Sequence, residues 1–328
     1  MPITTEDFPS LTDDLQEIFD EEAKAAVADM VGQKVFKVQD TDRKTYDYLT
    51  VHGISVIERV AEGSDLPIAS SQESDSATWT QKRYGGIVPI TKDMRMFDLH
   101  DAIEGRARAA ATDAFDKVDQ SLADVLTNGW ATSYTDVYDD TETSTTPDGL
   151  ALFSTVHSNN INSATFRNQI KDSAATENPA LDRDPIVTAI KDARVHLDPL
   201  GHVRPVRLDT LLVTPTNADL ADRLILTDKL PGSMDNDTNT HVRGSIRNII
   251  VWERLETDGQ STSRSNYWFM YDSRKIGEVL KALFAEKPEL DPPDVVYRNK
   301  NWEYSVDYYY SIGRGYPAYL WGSQGDNT

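Results

Sequence analysis

Histidine is the residue type most often used as a metal ligand or a general base, and six histidines are scattered along this chain. None of them forms an HxH or HExxH pattern, the spacings that bring two imidazoles onto one metal ion. His196 and His202 flank a turn at residues 199–201, and we interpret this pair as structural. Cysteine is absent, which excludes a thiol nucleophile, a thiolate metal site and a disulfide framework.

The run MDNDTN resembles the first half of a calcium-binding loop, with Asp235, Asp237 and Asn239 at alternating positions. Thr240 stands where such a loop needs glycine. Ile246 replaces the acid that would close the loop around the ion. We therefore predict no calcium site in this segment.

The remaining chemical patterns do not form a catalytic set. A second acidic cluster is interpreted as a solvated loop; it consists of Asp136, Asp139, Asp140 and Glu142. The GRG sequence at residues 313–315 lacks the third glycine of a nucleotide-binding fingerprint and does not open a helix. There is no GxSxG nucleophile elbow and no P-loop. The sequence predicts no catalytic residue, no metal and no cofactor, so we do not expect an enzyme.

The chain is strongly acidic, with a net charge of −21 that arises from 54 acidic and 33 basic side chains. A protein that reads duplex DNA needs a basic face, which this composition does not supply globally. The 38 Asp against 14 Lys are typical of a salt-rich setting, where self-repulsion is screened, but also of an ordinary soluble acidic protein. No apolar signal segment or membrane span is visible in the sequence.

A helix over residues 98–128 is the longest predicted element. Its apolar side chains recur every three or four positions and form one narrow, alanine-rich stripe; they are Leu99, Ile103, Ala107, Ala111, Ala114, Val118, Leu122 and Val125. Asp98 is the predicted N-cap, and Asn128 with Gly129 predicts a left-handed C-cap. The helix is either a structural spine or an ordinary long core helix.

Two features precede this helix. Residues 1–30 predict an arm with one amphipathic helix after Pro9, followed by a short strand over residues 34–39. Residues 46–86 contain two β-prone runs, 49–60 and 77–84, joined by a polar segment. This pattern predicts a long hairpin with a mobile tip, and a connection of such length is usually functional.

An alternation of helices and strands follows. Residues 181–197 predict a helix capped by Asp184 with Pro185 in its first turn. Thr214, Pro215 and Thr216 are expected to start a second helix, which continues through NADLADRLIL. The predicted strands cover residues 206–213, 246–252, 266–271, 276–280 and 295–297, and residues 302–321 predict paired aromatic strands.

This order of elements resembles that of the major capsid proteins of tailed viruses with the Hong Kong 97 type (Johnson) fold, which is α+β. Residues 149–160, GLALFSTVHSNN, are similar to a G-x-x-LFs-x-x-H run that follows the spine helix in the branch related to Mu-like head subunits. The resemblance implies five parts: an N-terminal arm (1–43), an extended loop (44–86), a peripheral domain (87–180) containing the spine helix, an axial domain (181–289) and a return to the peripheral domain (290–328).

The resemblance implies a major capsid protein that self-assembles into an icosahedral shell around the double-stranded DNA of a tailed virus. The implied partners are copies of the chain in hexamers and pentamers, with separate scaffold, portal and decoration proteins, and no membrane. Assembly would take place in the host cytoplasm and the product would be the virion. Lys82 lies at the loop base and the tip has no lysine, so we expect no covalent cross-link. The candidate inter-subunit contacts are Glu58, Arg59, Trp79, Lys82, Arg83, Met234 and Asp235.

Three alternatives remain open at the level of the sequence. An encapsulin-like compartment would have the same fold but enclose protein cargo. A soluble or surface binding protein would use the C-terminal aromatic side chains to bind a glycan; these are Trp302, Tyr308, Tyr310, Tyr316 and Trp321. A hydrolase is the weakest alternative, because no nucleophile–base set can be named.

Overall fold

The structure is a computed structural model, and it describes residues 7–52, 59–60, 65–66, 72–97, 100–158, 165–198, 202–227, 240–296, 298 and 300–325. The helices are α1 (Asp7–Asp29), α2 (Gly32–Val35), α3 (Lys92–Met96), α4 (His100–Thr127), α5 (Arg183–Arg194), α6 (Pro215–Leu226), α7 (Thr240–Ser245) and α8 (Ile276–Val279).

The strands of the described residues belong to two larger sheets and three two-stranded ones. They are β1 (Lys37–Asp40), β2 (Thr45–His52), β3 (Gln72–Thr80), β4 (Lys82–Ile90), β5 (Ser133–Thr135), β6 (Thr141–Thr143), β7 (His157–Ser158), β8 (Thr165–Phe166), β9 (Thr210–Val213), β10 (Asn248–Val251), β11 (Trp268–Tyr271), β12 (Leu280–Leu290), β13 (Asp294–Val295), β14 (Trp302–Arg314) and β15 (Leu320–Ser323). Short 3-10 turns lie at Glu253–Leu255 and Pro317–Tyr319.

The chain divides into two compact units, and the first comprises Met1–Thr45, Thr80–Leu122 and Ala282–Ile312. Its sheet has the order β1-β12-β14-β13, with β4 also paired to β14. The β4–β14 pairing is antiparallel and sets Ile90 opposite Trp302. Every second side chain from Trp302 to Tyr310 on β14 is buried, because side chains alternate between the two faces of a strand.

The second unit comprises Tyr46–Trp79, Ala123–Lys281 and Gly313–Thr328. Its sheet has the order β10-β9-β11-β15, with β9 and β10 parallel and β11 antiparallel to both β9 and β15. β9 and β11 are buried along their whole length. Helices α5 and α6 contribute Ile186, Ile190 and Leu224 to a core that also contains Trp268 and Trp321.

The long helix α4 confirms the strongest prediction made from the sequence. Its stripe is buried: Ile103, Ala107, Ala111, Ala114, Val118, Leu122 and Val125 are each at most 6% exposed. The predicted Asp98 cap and Leu99 lie outside the described residues. The prediction of a left-handed C-cap is wrong, since neither Asn128 nor Gly129 has a positive φ. A Cβ on Gly129 would lie 2.6 Å from the ring of Phe153, so glycine serves to make room there.

Several boundaries differ from the predictions. The strand predicted over residues 34–39 begins as a helical turn, because the N–H of Phe36 donates to the carbonyl of Gly32. The N-cap of α5 is Asp182, whose carboxylate accepts the N–H of Arg183, whereas Asp184 accepts the N–H of Ser173.

The predicted strands also need correction near the C-terminus. The run 206–213 is a strand only from Thr210 onward. The run 276–280 is the helical turn α8, and it leads into β12, a long strand that the sequence prediction missed. The aromatic strands predicted to pair with each other instead belong to different sheets, β14 to one and β15 to the other.

Candidate functional site

The predicted long hairpin exists as β2 paired with β3, and the hydroxyl of Thr78 donates to the carboxylate of Asp47 across the two strands at 2.7 Å. The second predicted β-prone run, residues 77–84, is not a single strand, because its last residue, Tyr84, belongs to β4 in the five-stranded sheet. Two large apolar side chains of the hairpin are not covered by the rest of the chain: Leu49 is 44% exposed and Leu66 is 79% exposed.

Trp79, one of the predicted contact residues, lies at the base of the hairpin in a cluster of aromatic rings. It stacks on Tyr46 with centroids 5.7 Å apart and on Tyr48 with centroids 5.2 Å apart. The ammonium group of Lys281 lies 4.8 Å from the centroid of Tyr48 and 5.3 Å from that of Tyr46. A cation over aromatic faces stabilises such a cluster by about 0.5–2 kcal/mol.

Gly313 provides the space into which Trp79 packs, since a Cβ at this position would collide with the indole ring. The hydroxyl of Tyr48 also donates to the carbonyl of Glu278 at 3.4 Å. We name the five residues Tyr46, Tyr48, Trp79, Lys281 and Gly313 the hairpin joint. No sequence pattern predicts a role for Lys281 or Gly313 in this joint. Gly313 lies in the GRG run, whose two glycines indicate a position where a side chain does not fit.

Arg83 has a partner within its own chain. Its Nε donates to the carboxylate of Asp307 at 2.8 Å, and its guanidinium lies 5.8 Å from the ring of Tyr309. The hydrogen bond to Asp307 raises the pKa of Arg83 above its ordinary value. Lys82 is the residue before it on β4 and is partly exposed. Both side chains belong to the sheet surface of the first unit.

The other predicted contact residues are not brought together by the described structure. Arg59 is exposed and lies outside the helices and strands. Glu58, Met234 and Asp235 lie outside the described residues, as do Asp237 and Asn239 of the tested calcium pattern. Their roles stay predictions.

The G-x-x-LFs-x-x-H run lies in the second unit and is anchored by three buried residues, Leu152, Phe153 and His157. Gly149 adopts a φ of +79° at the turn that begins it. Leu152 and Phe153 are at most 2% exposed, and the ring of Phe153 packs 4.5 Å from that of Trp130 and 5.4 Å from that of Phe269. The run is therefore a packing motif of this unit.

His157 ends the motif and is completely buried. Its Nδ1 lies 2.7 Å from a carboxylate oxygen of Asp148, and its Nε2 lies 3.0 Å from the amide oxygen of Asn168. Burial by itself would raise the pKa of Asp148, but the hydrogen bonds from His157 and Thr146 outweigh it and hold that pKa below the ordinary value. The site is a closed hydrogen-bond network.

A second buried histidine lies close by. The ring of Phe166 stacks on His157 at 5.1 Å and meets His196 edge to face at 4.9 Å. Burial lowers the pKa of His196 to about 4, so this ring is neutral at pH 7. Its Nε2 lies 3.3 Å from the hydroxyl of Tyr316. The interpretation of His196 as structural agrees with these contacts.

The acidic loop differs from its prediction, because Asp136 is buried and only 3% exposed. Its carboxylate accepts the N–H groups of Tyr138 and Asp140 at 2.9 and 3.0 Å, which closes the turn. Burial raises the pKa of Asp136. Across the described ranges, no group of three or more acidic or histidine side chains is arranged to hold a metal ion.

The aromatic side chains proposed for a glycan surface are core residues. Trp302, Tyr308, Tyr310 and Trp321 are each at most 6% exposed. A glycan binder needs exposed ring faces, so this alternative loses its basis at these four positions. Within the part of the chain that the structure describes, no helix combines the length and the apolar character needed to cross a membrane.

Comparison with known proteins decides the family. A family model described as phage capsid protein matches residues 75–321, which is three quarters of the chain and includes Trp79, α4, the G-x-x-LFs-x-x-H run and most strands of the two larger sheets. The chain belongs to this phage capsid protein family. No match to this capsid protein is found among curated proteins.

Solved capsids have the same fold as this phage capsid protein. The capsid of cyanophage P-SCSP1u is 13% identical with a TM-score of 0.53, over 91% of this chain and 89% of the other. The capsid of an empty GTA particle is 12% identical with a TM-score of 0.52, over 90% and 89%. The capsid of Myoviridae phage XM1 is 12% identical with a TM-score of 0.50, over 90% of both chains.

The phage capsid protein is thus a major capsid protein, a structural component of the virion from which the shell is built. Its work is to contact other copies of itself. The features relevant to this role are the exposed surfaces of one subunit and the contacts that fix the orientation of these surfaces.

Proposed function

We propose that this phage capsid protein has the Hong Kong 97 type fold and forms hexamers and pentamers of an icosahedral shell that encloses double-stranded DNA. The parts are an N-terminal arm, an extended loop, a peripheral domain and an axial domain, over residues 1–43, 44–86, 87–180 with 290–328, and 181–289. The run at residues 149–160 supports a place in the branch related to Mu-like head subunits. Its Leu152, Phe153 and His157 are buried, as residues of a structural motif should be.

The hairpin of β2 and β3 is the single observation that carries this proposal. Its base is held by the hairpin joint, whereas Leu49 and Leu66 remain exposed. An isolated two-stranded hairpin is marginally stable in water, and exposed large apolar side chains favour burial against a partner. We infer that the hairpin extends over a neighbouring copy and buries these side chains there.

The other contacts follow from the same proposal. Arg59 on the hairpin and Lys82 and Arg83 on β4 would contact a neighbouring subunit. Met234 and Asp235 would lie in a loop of the axial domain, near a five-fold or six-fold axis. Separate scaffold, portal and decoration proteins would complete the particle, which would assemble in the host cytoplasm.

Sedimentation and negative-stain microscopy of the expressed full chain test the proposal. Uniform shells tens of nanometres wide are expected, and a stable monomer contradicts it. Extraction of nucleic acid from shells made during infection distinguishes a virus capsid from an encapsulin-like compartment. Encapsidated genomic DNA supports the virus shell, whereas empty or protein-filled shells favour an encapsulin-like compartment.

A pair of variants tests the role of the hairpin. Leu66→Asn removes an exposed apolar side chain, so the yield of shells should fall while the helix content and melting of the subunit stay unchanged. Asp65→Asn introduces the same amide at the adjacent exposed position and should assemble normally. Equal yields for the two variants would show that Leu66 is not buried on assembly.

A further inference from the structure

A short antiparallel ladder follows α5 and consists of residues 196–198 and 202–204. Leu197 pairs with Val203 in this ladder. Two backbone hydrogen bonds of 2.8 Å flank the pair, one on each side. In a pair of this kind the two side chains point to the same face and lie close together. Leu197 and Val203 therefore form one apolar surface.

This apolar surface faces solvent in the single chain. Leu197 is 45% exposed and Val203 is 61% exposed, and Val195 at the end of α5 is 64% exposed. The polar residues His196 and Asp198 are at most 8% exposed. A two-stranded ladder on a protein surface normally directs its apolar side chains inwards and its polar ones outwards, whereas this ladder does the reverse. We name Val195, Leu197 and Val203 the ladder surface.

The buried polar side chains of the ladder have their partners within the chain. The carboxylate of Asp198 accepts the N–H of His202 and the Nε–H of Arg204, both at 2.8 Å. The ring of His196 meets that of Phe166 edge to face at 4.9 Å. These contacts fix which side of the ladder points inwards, so the ladder surface stays outside. An exposed apolar group of this kind indicates an interaction site.

The segment that carries the ladder surface exposes basic charges. Over residues 194–198 and 202–207 the exposed charged side chains are three arginines, Arg194, Arg204 and Arg207. The one acid of this segment, Asp198, is buried. Arginine around an apolar centre is typical of protein–protein interfaces. Because the chain as a whole has a net charge of −21, this basic segment is suited to an acidic partner such as another copy.

The stretch of residues 46–79, which contains most of the β2–β3 hairpin, has the complementary character. Its charged side chains are six acids and one base: Asp47, Glu58, Glu62, Asp65, Glu73, Asp75 and Arg59. It also exposes the apolar side chains of Leu49 and Leu66. Leu66 is 79% exposed while Val203 is 61% exposed, so the described part of the hairpin does not cover the ladder surface of its own chain.

We propose that the ladder surface receives the acidic β2–β3 hairpin of a second copy of the chain. This inference rests on the proposed function and names the surface of the neighbouring subunit on which the hairpin lies. Apolar side chains of both segments are removed from water in the contact, and the arginines of one copy face the acids of the other. The opposite charges direct the hairpin to this segment of an otherwise acidic neighbour.

A photo-crosslinking amino acid in place of Val203 identifies the occupant. The full-length variant is incorporated as a minor fraction into shells of isotopically labelled wild-type subunits, so that a local disturbance does not prevent assembly. Illumination should give a covalent dimer on a denaturing gel, and mass spectrometry should locate the link within residues 46–79 of a labelled copy.

The outcomes of this experiment separate the inference from the proposed function. A link to any other segment, or shells without a covalent dimer, overturns the inference, while the formation of shells still supports the proposed function. If the wild-type chain forms no shells, the proposed function fails and the inference fails with it.

A pair of valine variants gives a second measurement. Val203→Thr keeps the β-branched shape of the side chain but replaces a methyl group with a hydroxyl. Val156→Thr is the matched control, because Val156 is 52% exposed in the same unit but lies outside the ladder. The yield of shells should fall several-fold for Val203→Thr only, and the melting of the unassembled subunit should stay unchanged in both variants. Equal yields for the two variants contradict the inference.

Discussion

The indole ring of Trp79 occupies the space that a side chain on Gly313 would need. This contact joins the base of the exposed hairpin to the C-terminal end of β14. The orientation of the hairpin therefore depends on glycine at position 313, where even the methyl group of alanine would collide with Trp79. Tyr46, Tyr48 and Lys281 then hold the ring in place from its other sides.

Gly313→Ala should displace Trp79 and lower both subunit stability and the yield of shells. Overpacking of a filled site costs about 1–3 kcal/mol. Gly244→Ala is the matched control, because a Cβ there meets nothing within 4 Å. Denaturant unfolding and sedimentation of the two variants give the comparison. If Gly313→Ala matches Gly244→Ala in both assays, the joint does not orient the hairpin.

Charge reversal at Arg83 should impair assembly while subunit melting changes little, because an ion pair with an exposed partner adds little to stability. Arg83 already pairs with Asp307 in its own chain. The double variant Arg83→Asp, Asp307→Arg restores that pair with its polarity exchanged. We expect assembly to stay impaired, since a neighbouring subunit would still meet the wrong charge at position 83. If the double variant forms shells in normal yield, Arg83 acts only through its pair with Asp307 in its own subunit and does not contact a neighbouring subunit.

Salt should stabilise the assembled shell. Copies that each carry a net charge of −21 repel one another when packed, and the Debye length of about 3 Å at 1 M salt screens this repulsion. Shells should loosen on dialysis to low ionic strength, as measured by light scattering during a thermal ramp. Equal heat stability from low to molar salt would remove the case for a saline habitat.

Acid should destabilise the subunit through His196. Burial lowers its pKa to about 4, while an unfolded histidine titrates near 6.5. The unfolded chain therefore binds more protons between these values, so the stability present above pH 6.5 is lost as the pH falls towards 4, by up to about 3 kcal/mol.

Melting curves from pH 7 to 4 check this expectation. His196→Gln removes the titrating ring and should flatten the response. His202→Gln is the control on the same turn, because its side chain is 58% exposed. A wild-type response identical to that of His196→Gln would mean that other groups cause the acid sensitivity.

Local patterns in the sequence predicted local structure well. The stripe from Ile103 to Val125 is buried because a helical period of 3.6 residues places these side chains on one face, whatever they pack against. Thr214 and Pro215 predicted the start of α6 for a similar reason, since proline suits the first turn of a helix.

The errors arose where distant parts of the chain decide the outcome. Gly129 looked like a helix cap, but its role is set by Phe153, which is far away in sequence. β12 was missed because charged residues and Pro288 interrupt its apolar pattern, although β14 pairs beside it. No local feature distinguishes Lys281 or Gly313 from other residues until Trp79 is placed against them.

The order of strands also bears on how the protein is made. β14 is an inner strand of the five-stranded sheet and β15 completes the four-stranded one, and both lie late in the sequence. During translation neither sheet is finished until residues 302–323 have left the ribosome. A chain that ends before residue 302 lacks β14, which pairs with β4, β12 and β13, and β15, which pairs with β11. We therefore expect that a truncated chain cannot complete either sheet and is not competent to join a shell.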